Sequence, residues 1–273
     1  MRRFVRAQID GLGPRVGILV GESRVDVLDH DDPLAAIRGE GRVEQSLQRS
    51  ETSLLPPIFA PEIWCAGVTY ELSRDARINE AQSDAADVYA LVYDAERPEL
   101  FMKDAQMRRT VGPGGSIRLR RDSAWMVPEP ELGLVLDDAG TPVAVTIGND
   151  VSSRDIEGAN PLYIPQAKIF AGACAIGPAL AVPSAWDTQY VIRLHILGAE
   201  GQTLFSGETS TARMKRSFSE LAAWATRDNP IPAGSVLLTG TGLVPDDSYT
   251  LEPGHTVEID IEGIGTLINR VHA

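Results

Sequence analysis

Cysteine is scarce in this chain. Cys65 and Cys174 are the only two among 273 residues, in neither a C-x-x-C pair nor a disulfide-dense pattern. That argues against a thiolate zinc site and a disulfide scaffold, and it suits buried free thiols in a reducing compartment. Histidine is almost as rare, at positions 30, 195, 255 and 272. No apolar run reaches membrane-spanning length, and the opening Met1-Arg2-Arg3-Phe4-Val5 lacks the apolar core of a signal peptide. The expectation is a cytoplasmic protein with no membrane partner. Positive charge is deficient as well: 25 Lys and Arg against 38 Asp and Glu leave a formal net charge of −13. Such a surface repels phosphate backbones and anionic lipid, so nucleic acid is not an expected partner. An anionic substrate would need local positive charge to overcome that field.

Hydrophobic residues at 43% and charged residues at 23% are ordinary for a globular chain, and the length suffices for a real core. Val16–Val20 and Val25–Leu28 read as strands between the turn-formers Asp10–Pro14 and Gly21–Ser23. Asp32-Pro33 opens a helix, and a second amphipathic stretch follows at Val43–Arg49. Pro56-Pro57 and Pro61 then punctuate the chain, which sets a boundary near residue 58: a small N-terminal domain over 1–58 and a larger one over 59–273. Ile63–Val68 reads as a buried strand and Ser73–Ala90 as a helix. Beyond Ser116 strands dominate, at Glu131–Leu136, Val143–Ile147, Tyr190–Ile196, Ser235–Leu238 and Thr256–Ile261, with one helix at Arg213–Ala225. The fold class is therefore mixed α/β and β-rich.

Val127-Pro128-Glu129-Pro130-Glu131 carries the most chemical information. Prolines around Glu129 favour extended backbone, and residues two apart on a strand face the same way, so the two carboxylates share a face. Leu132–Leu136, the turn Asp137–Pro142 and Val143–Ile147 read as a hairpin. With the turn centred near Ala139-Gly140, antiparallel partners have numbers summing to about 279, which sets Asp150 opposite Glu129. Three oxygen donors without histidine or thiolate nearby suit a hard cation that keeps water, Mg²⁺ or Mn²⁺, with Ca²⁺ compatible too. Taken alone, an E-x-E pair also occurs by accident on the surface of an acidic protein.

The motif is longer than that pair. Pro128–Leu132, Gly148-Asn149-Asp150-Val151-Ser152-Ser153-Arg154-Asp155, Ala167-Lys168-Ile169-Phe170 with Gly177-Pro178, and Ser235–Gly242 together resemble the fumarylacetoacetate hydrolase superfamily, from about residue 60 to the end. The resemblance implies a rolled β-structure with a small N-terminal domain and a homodimer or higher homo-oligomer. It also implies Glu129, Glu131 and Asp150 as metal ligands, Lys168 as the active-site lysine, and Thr241 in the substrate pocket. Arg154 and Asp155 read as a structural ion pair beside the site.

Hydrolytic members carry a water-activating histidine and glutamate after the first core strand; here Ser73 and Ala76 stand at those positions. Gly67–Ser73, Arg97–Lys103 and Asn160–Lys168 instead resemble the dehydratase branch, whose best-known activity converts 2-keto-3-deoxy-D-arabinonate into 2,5-dioxopentanoate. The implied substrate is a small 2-keto acid. Such an elimination needs a base for the C3 proton and an acid for the leaving hydroxyl, for which Glu99 and Lys168 are the candidates. A solvated surface position is the plain alternative for Glu99. Tyr70 and Ser73 either hydrogen-bond substrate hydroxyls or cap and pack the adjoining helix. Gly112–Gly115 and Thr239–Gly242 lack the frame of a phosphate loop. An acylpyruvate-type hydrolase and a silent cation or keto-acid binder stay open as alternatives.

Overall fold

The turn at Asp137–Thr141 organises the centre of the molecule. The Asp137 carboxylate accepts the N–H groups of Ala139 and Thr141 at 3.0 and 2.7 Å, and Gly140 takes a φ of +75°, a conformation open to glycine. The turn joins strands Pro130–Leu136 and Pro142–Asp150, with Pro130 opposite Asn149, Glu131 opposite Gly148 and Leu132 opposite Ile147. That is the register expected from the hairpin sum. This computed structural model describes residues 1–71 and 91–273, so the expected helix over Ser73–Ala90 lies outside the described residues.

Among those residues the hairpin sits within a 12-stranded mixed sheet. On one side Pro130–Leu136 pairs with Val236–Leu238, which runs parallel to Glu62–Gly67, itself paired with Glu99–Ala105. On the other, Pro142–Asp150 pairs with Cys174–Val182, and that strand pairs with Arg2–Ile9. The strands of the first 58 residues thus continue the same sheet. A second, five-stranded sheet includes Val191–Leu197, Thr256–Ile261 and Gly265–His272.

Both faces of the hairpin are covered, which explains why its strands read as apolar runs. Leu132, Leu134, Val145 and Ile147 pack towards the second sheet with Ile192, Ile259 and Leu267. Val135 and Ala144 pack to the opposite side with Ile63, Ile176 and Leu238. Alternation therefore carries Glu131 and Asp150 to the side of Val135 and Ala144.

Two local expectations change. The amphipathic stretch after the helix Pro33–Ile37 is an edge strand, Val43–Gln48, paired with Arg24–Leu28; its half-buried Gln45 and Leu47 show a period of two. The later helix begins at Phe218, not Arg213, because Ser217 caps it by accepting the Glu220 N–H at 3.2 Å.

Candidate active site

At the end of the hairpin, single carboxylate oxygens of Glu129, Glu131 and Asp150 lie within 4.8 Å of one another. All three residues are between 1% and 3% exposed, so each needs partners. Glu129 Oε1 accepts from Arg154 Nη2 at 2.9 Å, and its Oε2 accepts from Lys168 Nζ. Lys168 Nζ also donates to Asp150 Oδ2 at 3.1 Å. Lys103 Nζ pairs with the other Asp150 oxygen and donates to Val151 O at 3.0 Å. Glu131 Oε2 accepts the Gly240 N–H at 2.6 Å.

The elements explain the convergence. Lys168 ends a short helix, Ile164–Lys168, and Arg154 begins another, Arg154–Ala159. Lys103 sits at a one-residue bulge, since Asp104 pairs with Ile63 but Met102 with Trp64; bulges re-aim a side chain in this way. Gly240 has a φ of +91°, and a Cβ there would meet Thr69 Oγ1 and, at 2.9 Å, Ala66 O. Thr69 Oγ1 donates to Thr239 O at 2.7 Å. Only glycine fits between Thr69 and the Glu131 carboxylate.

A cavity opens beside the three carboxylates, lined also by Glu99, Phe101, Glu157, Lys168, Gly240 and Thr241. Glu99 pairs across the sheet with Gly67, where a Cβ would run into the Glu99 carboxylate. Val68, also at the cavity, has a φ of +50°, an uncommon conformation for a β-branched residue and of a kind that clusters at functional sites.

The donor chemistry fits a hard divalent cation. Around the cavity the described residues place Glu99, Glu129, Glu131, Asp150 and Glu157 beside Lys103, Lys168 and Arg154. Burial, then Asp150 and Glu129, push Glu131 well above its ordinary pKa of 4.5. Glu131 thus resists ionising beside its two acidic neighbours until further positive charge arrives. The oxygen-only set matches Mg²⁺, Mn²⁺ or Ca²⁺ better than zinc. Neither cysteine competes: both are buried and free, and burial pushes the Cys174 thiol up to about 12.

Residues 62–272 match the fumarylacetoacetate (FAA) hydrolase C-terminal family. The chain belongs to the fumarylacetoacetate hydrolase family. It is 49% identical over 216 residues to a probable 2-keto-3-deoxyxylonate dehydratase of Haloferax volcanii, covering 79% of this chain and 73% of that one. It is 42% identical over 230 residues to the 2-dehydro-3-deoxy-D-arabinonate dehydratase of Saccharolobus solfataricus, covering 83% and 77%. A solved 2-keto-3-deoxy-D-arabinonate dehydratase, complexed with magnesium and 2,5-dioxopentanoate, superposes with a TM-score of 0.85 at 35% identity over 99% of this chain and 98% of that one.

Within this family member the other sequence candidates separate. Thr241 lines the cavity, but its hydroxyl is engaged locally, donating to Leu243 O at 2.9 Å and accepting the Leu243 N–H at 3.2 Å. Tyr70 is buried with its ring against Gly242, and burial raises its phenol pKa. Ser73 and Ala76 lie outside the described residues. Arg154 and Asp155 divide their partners: Arg154 reaches Glu129, while Asp155 accepts from Ser123 Oγ and the Ala124 N–H, both at 2.7 Å. Adjacent helical residues point in different directions, so neighbours in sequence were poor candidates for an ion pair. Sequence reasoning passed over Lys103, Glu157 and Gly240. Lys103 had one available signal, its place four residues beyond Glu99 on one strand.

Proposed function

We propose that this protein is a divalent-metal-dependent hydro-lyase that dehydrates a 2-keto-3-deoxy sugar acid, favouring 2-keto-3-deoxy-D-arabinonate and yielding 2,5-dioxopentanoate. The observation that carries the proposal is the meeting of three buried carboxylates with Lys168 and Glu99 at one cavity, in a chain similar to dehydratases over most of its length.

Glu129, Glu131 and Asp150 would hold the metal, Mg²⁺ or Mn²⁺. When bound, it would supply Lewis acidity that acidifies the C3 protons beside the 2-keto group. Glu99, which lines the cavity, would take a C3 proton. Lys168, held between Glu129 and Asp150, would protonate the departing C4 hydroxyl. Thr241 contributes to the cavity wall, and Tyr70 and Ser73 are proposed to support the substrate's hydroxyl end.

The deciding experiment incubates the Mg²⁺-loaded protein with a panel of 2-keto-3-deoxy sugar acids and diketo acids, and follows products by mass. Loss of water from the five-carbon sugar acid is expected. Faster carbon–carbon cleavage of a diketo acid would make the protein an acylpyruvate-type hydrolase, and no turnover would leave a binding protein.

The proposed setting is cytoplasmic, supported by two free buried thiols. Among the described residues no helix is long and apolar enough to cross a membrane. A homodimer or higher homo-oligomer is proposed, which sedimentation would test. Residues 1–58 are proposed as a small N-terminal domain, and 59–273 as the catalytic domain.

A further inference from the structure

The proposed reaction asks for more proton transfers than Glu99 and Lys168 provide. Removing a C3 proton and the C4 hydroxyl from a 2-keto-3-deoxy pentonate gives 5-hydroxy-2-oxopent-3-enoate and water. Reaching 2,5-dioxopentanoate from there takes an isomerisation. C5 loses a proton, C3 regains one, and the resulting C4–C5 enol gives up its hydroxyl proton while C4 gains one. No oxidant or reductant is involved, and the overall change is loss of one water. A base that has taken the C3 proton is the natural donor when C3 is protonated again. The C5 proton therefore leaves towards a second acceptor.

We infer that Glu157 is that acceptor, a further catalytic residue acting at the C5 end of the substrate; the inference rests on the dehydratase reading. Glu157 is 2% exposed and yet lines the cavity. It enters from the helix Arg154–Ala159, whereas Glu99 enters from the strand Glu99–Ala105, so the two carboxylates come from different elements. Ser152 Oγ donates to Glu157 Oε2 at 2.5 Å. Ser152 is itself fixed by the pairing of Ser152–Ser153 with Met126–Val127. This hydroxyl helps to orient the carboxylate. The contrast with Asp155 is informative. That residue, also in the first turn, secures the neighbouring loop through Ser123 and Ala124, leaving Glu157 to face the cavity. Lys168, once it has given up its proton, is the rival acceptor.

The test follows two rates on the Mg²⁺-loaded protein with 2-keto-3-deoxy-D-arabinonate under single-turnover conditions: release of water and appearance of the aldehyde. In Glu157→Gln the ratio of aldehyde formation to water loss is expected to fall about 100-fold, within the usual range for losing a general base. The unsaturated hydroxy-keto acid then accumulates, and deuterium at C5 slows aldehyde formation. Glu157→Asp should restore part of the ratio. Ser152→Ala, which keeps the carboxylate but loses its hydroxyl partner, should lower the ratio less, and with Glu157→Asp it carries the test if Glu157→Gln does not fold. An unchanged ratio in Glu157→Gln, including equal slowing of both rates, overturns the inference and passes the C5 step to Lys168. If the unsubstituted protein dehydrates no sugar acid, it is the dehydratase reading that fails.

Discussion

Asp150 donates its backbone N–H to the Glu129 carbonyl at 3.0 Å, and Lys168 bridges the side chains of the same two residues. Main chain and side chain thus hold this pair together from two directions. Asp150→Asn leaves the hairpin bond intact and removes one anionic oxygen donor. It should weaken Mg²⁺ binding by more than the roughly 10- to 100-fold typical of losing an outer-sphere partner. Titration calorimetry reads this directly, and an unchanged affinity would remove Asp150 from the cation site.

Glu131 gives the metal-free protein a pH signature. Its folded-state pKa lies well above the ordinary 4.5, so between those two values the folded state binds more protons than the unfolded one. Stability of the metal-free protein should then decrease as pH rises through that window. Mg²⁺ binding should release protons in the same window and restore stability. Calorimetry in buffers of different ionisation enthalpy measures the release; its absence would mean that Glu131 is already ionised.

Lys103 and Asp150 form a pair that is almost wholly removed from solvent. Lys103→Met would leave the carboxylate without one of its two lysine partners. A destabilisation of about 3–5 kcal/mol in the metal-free protein is expected, measurable by urea unfolding. Bound Mg²⁺ should reduce that loss. Equal losses with and without metal would show that Lys103 acts through packing alone.

Gly240→Ala tests the close packing of Gly240 against Thr69 and its N–H bond to Glu131. The added Cβ meets Thr69 Oγ1 and Ala66 O, at a φ of +91°. Strain of about 1–3 kcal/mol and a roughly tenfold weaker Mg²⁺ affinity are expected, because the N–H that orients Glu131 moves. Wild-type metal affinity in a folded variant would refute that role.

Lys168→Met and Glu99→Gln nearly preserve volume while removing charge or proton affinity. Each should lower turnover by about two to four orders of magnitude. Exchange of the C3 protons with deuterated solvent separates them: Glu99→Gln should abolish exchange, whereas Lys168→Met, lacking the acid for the leaving hydroxyl, should retain some. A Glu99→Gln variant with normal turnover would leave that residue part of the cavity wall with no role as the base.

Much of the geometry of the three carboxylates was legible because it is local. Hairpin register follows from a turn and two apolar runs, and a period of two then assigns faces, so Glu131 opposite Gly148 was readable in the linear chain. Propensity failed where local pattern is ambiguous, as at Val43–Gln48, whose strand state depends on pairing with Arg24–Leu28.

By itself, then, the sequence determined a β-rich fold and a hairpin that sets Glu129, Glu131 and Asp150 together, since each depends on residues within one turn and its flanking strands. Tertiary structure alone decided what surrounds them. Gly240 reaches Glu131 across 109 residues and Arg154 reaches Glu129 across 25. Lys103 arrives through a bulge, and Glu157 turns inward while Asp155 does not. No periodicity encodes such meetings. They follow from packing distant elements around a low-dielectric interior, where each buried carboxylate is stable only beside a donor or a cation.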